Sequence, residues 1–172
     1  MAEDSKEKKA GEERPGRLGL KTQFQVRKFQ SPEDHQADRP FEVSEFEGNI
    51  GLNEGIAELW DLACGLGSPT AYNSANARVG VGDSSVAEAA TQTALQGTST
   101  AFKAMDATFP SRSTQTVSFR GTFQGTEANF AWNEFTVDNG ATPNKNLIRK
   151  VSAQGSKTSG QVWELKIDIT MS

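Results

Sequence analysis

The chain holds one cysteine, one histidine and one tyrosine in 172 residues. With Cys64 alone no intrachain disulfide can form, and its place in the apolar run "LWDLACG" predicts a small buried side chain. His35 lies in polar "SPEDHQADRP". Asp34 and Asp38 sit near it, but one imidazole among scattered carboxylates falls far short of a metal-ligand pattern, so a solvated loop is expected. No apolar stretch is long enough to span a bilayer, and the opening "MAEDSKEKKAGEERPGR" is charged where a signal peptide needs an apolar core. Synthesis and assembly in cytoplasm are therefore expected. Basic residues form no stripe, and a net charge of -4 argues against a surface dominated by phosphate contacts. Neither a membrane nor a nucleic acid is expected as a partner, and no cofactor.

Apolar residues are also scarce. A hydrophobic content of 35% and a mean hydropathy of -0.58 are low for a compact globule, and much of the deficit sits in the first forty or so residues. The length suits one main domain with an extension. Residues 1 to about 20 have too little apolar surface to offset their ordering entropy. "TQFQVRKFQ" then alternates Phe24 and Val26 with polar neighbours, the period of a half-exposed strand, and "FEVSEFEG" alternates again through Phe41, Val43 and Phe46. The division expected is a polar, flexible N-terminal arm with a short strand over 1–40, and a β-rich domain over 41–172.

What is present in strength is one helix and many strands. In "LNEGIAELWDLACG", Leu52, Ile56, Leu59, Trp60 and Ala63 fall at helical spacing and predict a core-facing stripe near residues 52–64, with Glu54, Glu58 and Asp61 on the other side. Asn49 or Asn53 can cap it, and Gly65 or Gly67 can end it. "ARVGVGDSS" has the glycines of a phosphate loop, yet it lacks a Lys followed by Ser or Thr, and no third glycine opens a helix. It reads as a strand, Ala77, Val79 and Val81 on one face, running into a turn at Asp83 and Ser84. A short helix or turn is expected from Ser85 to about Ala90, with irregular structure or a further strand after it.

The C-terminal half carries clean alternation. Val117, Phe119 and Phe123 share a face. Phe130 and Trp132 are in phase, while Phe135 and Val137 take the opposite phase, which predicts a bulge near Asn133 or a strand buried on both faces. "DNG" marks a turn, and Trp163, Leu165, Ile167 and Ile169 point inward from the last strand. The fold class expected is mainly β: an antiparallel β-sandwich or small open barrel with one packed α-helix and an extended N-terminal arm.

Residues for catalysis are sparse. Ser84, Ser85 and Thr91 have no imidazole near them except His35, far off in sequence. Glu45 with Glu47 follows from alternation along a solvated strand, and nothing in the sequence places Glu127 beside Glu134 as an acid/base pair of the glycosidase kind. A non-enzymatic, binding or assembly role is expected.

The ordered motifs "EGNIGLNEGIAELWDLACG", "NARVGVGDSS", "QTALQG", "KAMDATFP", "TFQGTEANFAWNEFTVDNG", "NLIRKV" and "WELKIDIT" resemble a group of small virion proteins of tailed bacteriophages, over roughly residues 40 to 172. The resemblance implies a structural component of the particle. A β-rich domain with a flexible arm suits a capsid decoration, or cement, protein that binds the outside of an assembled head and reinforces joints between major capsid subunits. Its partners would be the major capsid protein and itself as a homo-oligomer, a trimer at a lattice three-fold being one form, and its location the virion surface. Candidate contacts are Phe24, Val26 and Phe29 on the arm and Arg39, Phe41 and Phe46 in the connection. The plainer alternative puts Phe24 and Val26 in an edge strand of the same domain. A tail-fibre or baseplate subunit is the second expectation, with Tyr72 and Asn73 as loop contacts for glycan. A cell-wall glycan hydrolase is the third, in which Glu134→Gln would abolish activity.

Overall fold

The computed structural model describes residues 19–48 and 50–172. The segment expected to form the flexible part of the arm, and Asn49, expected as a helix cap, lie outside the described residues. Ten strands and two helices follow one another as β1 Leu20–Phe29, α1 Pro32–Gln36, β2 Glu42–Glu47, β3 Ile50–Gly51, α2 Asn53–Cys64, β4 Arg78–Gly82, β5 Thr100–Ala104, β6 Ser111–Ser113, β7 Thr116–Phe123, β8 Glu134–Asp138, β9 Asn146–Val151 and β10 Val162–Met171. They make two antiparallel five-stranded sheets, ordered β2-β1-β10-β7-β6 and β3-β9-β8-β4-β5, with no closed barrel. The expected sandwich is the fold.

The chain changes sheets repeatedly, contributing β1 and β2 to the first sheet, β3 to β5 to the second, β6 and β7 to the first, β8 and β9 to the second, and β10 to the first. Neighbouring hairpins account for only part of the pairing. The longest ladder joins the first and last strands of the described residues: β1 and β10 pair from Leu20 with Met171 to Phe29 with Val162. Gly19 and Ser172 extend it with a reciprocal backbone pair.

That ladder corrects the division of the chain at residue 40. β1 lies between β2 and β10, an interior strand of the sheet, so residues 20–29 belong to the sandwich and not to an arm. Phe24 and Val26 point into the space between the sheets, where they join Val79, Phe135, Leu165 and Ile167 in one core. Phe24 stacks on Phe46 at 4.9 Å, and Trp132 meets Phe123 and Trp163 edge-on at 4.9 Å each. Alternation in β1, β4, β7 and β10 matches the inward residues expected, because a strand with one face on the core must place its apolar side chains at period two. The phase change around Asn133 resolves as a β8 strand buried on both faces.

Two local expectations change, and over residues 83–99 the turn, of the short helix or turn expected, is what forms. "SPEDHQADRP" contains the helical turn α1, started by the Ser31 hydroxyl accepting from Asp34 N–H with Pro32 at the first helical position. Residues 83–99 hold no helix, only a turn at Ala90–Thr91 within an irregular strap. Cys64 is exposed at the end of α2, since the helix turns a different side to the core from the one its apolar spacing predicts.

Within α2 the one buried residue is Gly55. A Cβ there would collide with Asn146 C=O and Leu147 Cα of β9, which is backbone and cannot step aside. Gly55→Ala is therefore expected to lower stability by about 1–3 kcal/mol through overpacking, even though alanine is the better helix former. Thermal unfolding of the variant checks this; an unchanged or raised Tm would mean that α2 does not sit so close to β9.

Candidate functional site: an outward-facing apolar helix

Helix α2 is held to the domain by its polar side. Glu54 Oε1 accepts from Asn146 N–H at 2.8 Å and from its side-chain amide at 3.3 Å. One turn on, Glu58 Oε1 accepts from Thr70 N–H at 2.7 Å and from the Asn139 amide at 2.9 Å. Asn53 N–H donates to Ala90 C=O, Leu52 is fully buried just before the first turn, and Gly65 ends the helix in the left-handed conformation at φ 66°. No side chain caps the N-terminus, so the expected asparagine cap is absent at Asn53.

Because Glu54 and Gly55 face β9 and Glu58 faces Thr70 and Asn139, the residues on the far side of the helix face water. Ile56 is 42% exposed and Trp60 61% exposed, and Leu59 is half-buried. Of the stripe predicted to be core, Leu52 is buried and Leu59 packs against the core, whereas Ile56, Trp60 and Ala63 face outward. With Leu59 these three form one wall of a groove of about 470 Å³ whose other wall is Gly19, Leu20, Leu147 and Met171. Leu59, Leu147 and Met171 also border a second hollow of about 520 Å³ that reaches Arg112, Val117 and Ile169. This is the apolar surface that α2 leaves uncovered, and Phe41, Val43, Leu66 and Val86 are exposed elsewhere on the domain.

The residues expected as partner contacts are dispersed. Phe24 and Val26 are buried in the core, and Phe29 is buried beneath α1 with the His35 ring edge-on at 4.8 Å. None of the three can touch a partner while the sheet is intact. Phe46 is half-buried against Phe24 and Phe135. Arg39 is exposed and pairs with Asp34 at 3.0 Å, and Phe41 is exposed beside edge strand β2. Tyr72 is half-buried, not a free loop aromatic: its hydroxyl donates to Lys145 C=O at 3.0 Å, and burial, with Glu58, Glu54 and Asp138 nearby, pushes its ionisation above the ordinary tyrosine range.

The carboxylates considered for acid/base chemistry have other engagements. Glu134 is completely buried and paired with Arg149, also completely buried, whose Nε donates to Oε2 at 2.8 Å. Arg149 Nη2 approaches the same oxygen at 2.6 Å but outside hydrogen-bond geometry. Glu134 further accepts from Gln96 N–H and Gly97 N–H, and Arg149 donates to Val86 C=O and Gln92 Oε1, so the pair pins the 83–99 strap to the sheet. Gly82 leaves room for the carboxylate, since a Cβ there would strike it. Glu127 binds Lys103 and Gln124 N–H and shares no partner with Glu134. Around His35, Asp38 binds Arg27 and Asp34 binds Arg39; among the described residues no three His, Cys, Asp or Glu side chains gather for a metal.

Lys157 is another buried cation, donating to Gln124 C=O, Glu127 C=O and Asn129 Oδ1 at 2.8, 2.9 and 2.9 Å. Burial pushes its ammonium down to about 8 from an ordinary 10.5, against the pull of Glu127. Below about pH 8 the group is protonated folded and unfolded, and the burial penalty is complete. Between pH 8 and 10.5 the unfolded chain binds more protons, so this residue's contribution to stability rises with pH. Denaturant unfolding of wild type and Lys157→Met should show a stability difference that shifts in favour of the wild type across that window; a constant difference contradicts the shift. Glu134→Gln should cost roughly 3–5 kcal/mol, because it leaves Arg149 buried without its counter-charge, and a loss below 1 kcal/mol would show that the strap is held by other contacts.

The chain matches no protein-family model, no curated protein sequence and no solved structure.

Proposed function

We propose that the chain is a non-enzymatic structural protein of a tailed-phage particle, a decoration subunit that docks on the outside of the assembled head and braces contacts between major capsid subunits. The observation that carries this reading is the orientation of α2. A helix whose two glutamates are spent on internal hydrogen bonds and whose Ile56 and Trp60 are left in water suits assembly. The polar residues that would otherwise cover a free helix are committed to Asn146, Thr70 and Asn139. The motifs from "EGNIGLNEGIAELWDLACG" to "WELKIDIT" support placing that assembly in a phage virion.

The sandwich adds a reason to expect a brace. β1 and β10 tie both ends of the described chain into one sheet, and the strap from Asp83 to Ser99 is pinned by a buried ion pair, so few backbone segments are free to yield under load. The tail reading keeps only Asn73 of its two loop contacts, exposed and accepting from Ala75 and Asn76 N–H in its own turn, since Tyr72 is bonded to Lys145 and packed against the core.

Co-sedimentation of the full chain with expanded heads that lack it, and separately with tails, tests the proposal. Saturable binding to heads is expected. Binding to tails alone, or to neither, overturns it. A chain beginning at Phe41 is unsuitable as a probe because it lacks β1 and with it half of the central ladder.

A further inference from the structure

We propose that β2 is a docking edge for an extended segment of the partner, which adds to the first sheet as a further strand and sets basic side chains opposite Glu45 and Glu47. The proposal rests on the assembly reading and names the chemistry of a second contact, away from α2. β2 lies at the end of its sheet, with β1 on one side and no strand on the other among the described residues. Its register against β1 runs unbroken from Glu42 to Glu47, with no bulge to turn the edge aside and no proline to blunt it. In an antiparallel ladder alternate residues point their N–H and C=O groups to opposite sides. Gly48 N–H donates to Thr22 C=O at 3.1 Å, so Glu42, Ser44 and Phe46 bond to β1, while Val43, Glu45 and Glu47 direct their N–H and C=O groups outward. None of these three amides has an acceptor among the described residues.

The side chains beside that edge select its occupant. Glu45 accepts from the Gln25 amide at 2.8 Å, and neither Glu45 nor Glu47 makes an ion pair among the described residues. Both open onto a hollow of about 270 Å³ on the outer face of the sheet, whose one cation, Lys166, is bound to Asp168 at 2.7 Å. Glu45, Glu47 and Asp168 against Lys166 leave the hollow negative. A lysine or arginine on an added strand stands about 5 Å from the residue opposite, within reach of these carboxylates. Val43, 48% exposed on the same face, and exposed Phe41 just before the strand call for apolar residues further along the added segment. A second copy of β2 is the wrong occupant. An antiparallel pair centred between Ser44 and Glu45 sets Glu42 against Glu47, one centred on Glu45 sets that residue against itself, and like charges directly opposite are destabilising. The segment that fits runs antiparallel to β2, with two basic and then two apolar side chains at alternate positions. Main-chain hydrogen bonds supply its affinity and those side chains its selection.

Amide hydrogen exchange followed by NMR, on the full chain alone and with the synthetic peptide Thr-Lys-Thr-Lys-Thr-Val-Thr-Val-Thr, tests this. In the chain alone Val43, Glu45 and Glu47 should exchange freely while Ser44 and Phe46 are protected. With the peptide at about 1 mM, well above a Kd of about 100 μM, the three outward amides should exchange at least about fivefold more slowly. The same peptide with glutamate in place of lysine should leave them unchanged. Outward amides already protected in the chain alone, no slowing by the lysine peptide, or equal slowing by the glutamate peptide overturns the inference. On expanded heads, Val43→Pro should weaken binding at least about tenfold with little change in Tm, because proline there removes only an outward N–H. Glu45→Lys combined with Glu47→Lys should weaken it at least about tenfold too, by reversing the charge of the edge. Heads that bind both variants as tightly as the wild type overturn this inference alone. Slowing by the lysine peptide in a chain that binds no head overturns the decoration reading alone.

Discussion

The ladder between β1 and β10 is the constraint on which the rest of the molecule depends. It places the first and last described strands side by side in the middle of one sheet, from Leu20 against Met171 to Phe29 against Val162. β2 can then pair on one side and β7 on the other, and the inward faces of β1, β10 and β7 supply half of the core. The same ladder builds the candidate site, since Gly19, Leu20 and Met171 at its end form the wall that faces α2. Contacts this distant in sequence form late and cooperatively, so the groove exists only when the whole sandwich does.

The second sheet is organised differently. Its inner face is apolar, through Val79, Val81, Phe135, Val137 and Ile148, but its outer face is a buried polar layer. Arg78 binds Asp138 through two nitrogens, at 3.0 and 2.6 Å, Thr136 donates to Ile148 C=O at 2.6 Å, and Glu134 holds Arg149. Glycines make the layer possible, because a Cβ at Gly80 would meet Phe102 and Thr136 at 2.6 and 2.7 Å. The strap and α2 are attached through these hydrogen bonds together with inward packing of Leu95, Leu52 and Leu59, while Ile56 and Trp60 of α2 face outward.

Much of the architecture is legible in the sequence. Period-two alternation is a direct consequence of one buried sheet face, so β1, β4, β7 and β10 announce their inward residues. The glycines of "RVGVG" are readable as a strand because the Lys and helix of a phosphate loop are missing. Alternation alone cannot say which strand pairs with which, and so Phe24, Val26 and Phe29 read as arm contacts although β1 is interior. Nor does helical spacing tell which side of α2 is inside. The apolar stripe points to Trp60 as core, yet one signal favours the reverse: Gly55 between Glu54 and Glu58 is the smallest residue on the helix, and a close approach to β9 needs that side. The hydrogen bonds that overrule hydrophobic spacing go to Asn146, Thr70 and Asn139, residues far away in the chain and silent in a local window.

The central claim is that the apolar face of α2 is covered when the protein is at work. Hydroxyl-radical footprinting of the three tryptophans, in dilute chain and in assembled particles, tests it most directly. Trp132 and Trp163 are buried within the chain itself and serve as internal references. Trp60 should oxidise readily in the dilute chain and become protected on assembly, together with Met171 across the groove. Equal oxidation of Trp60 in the two states would contradict the account.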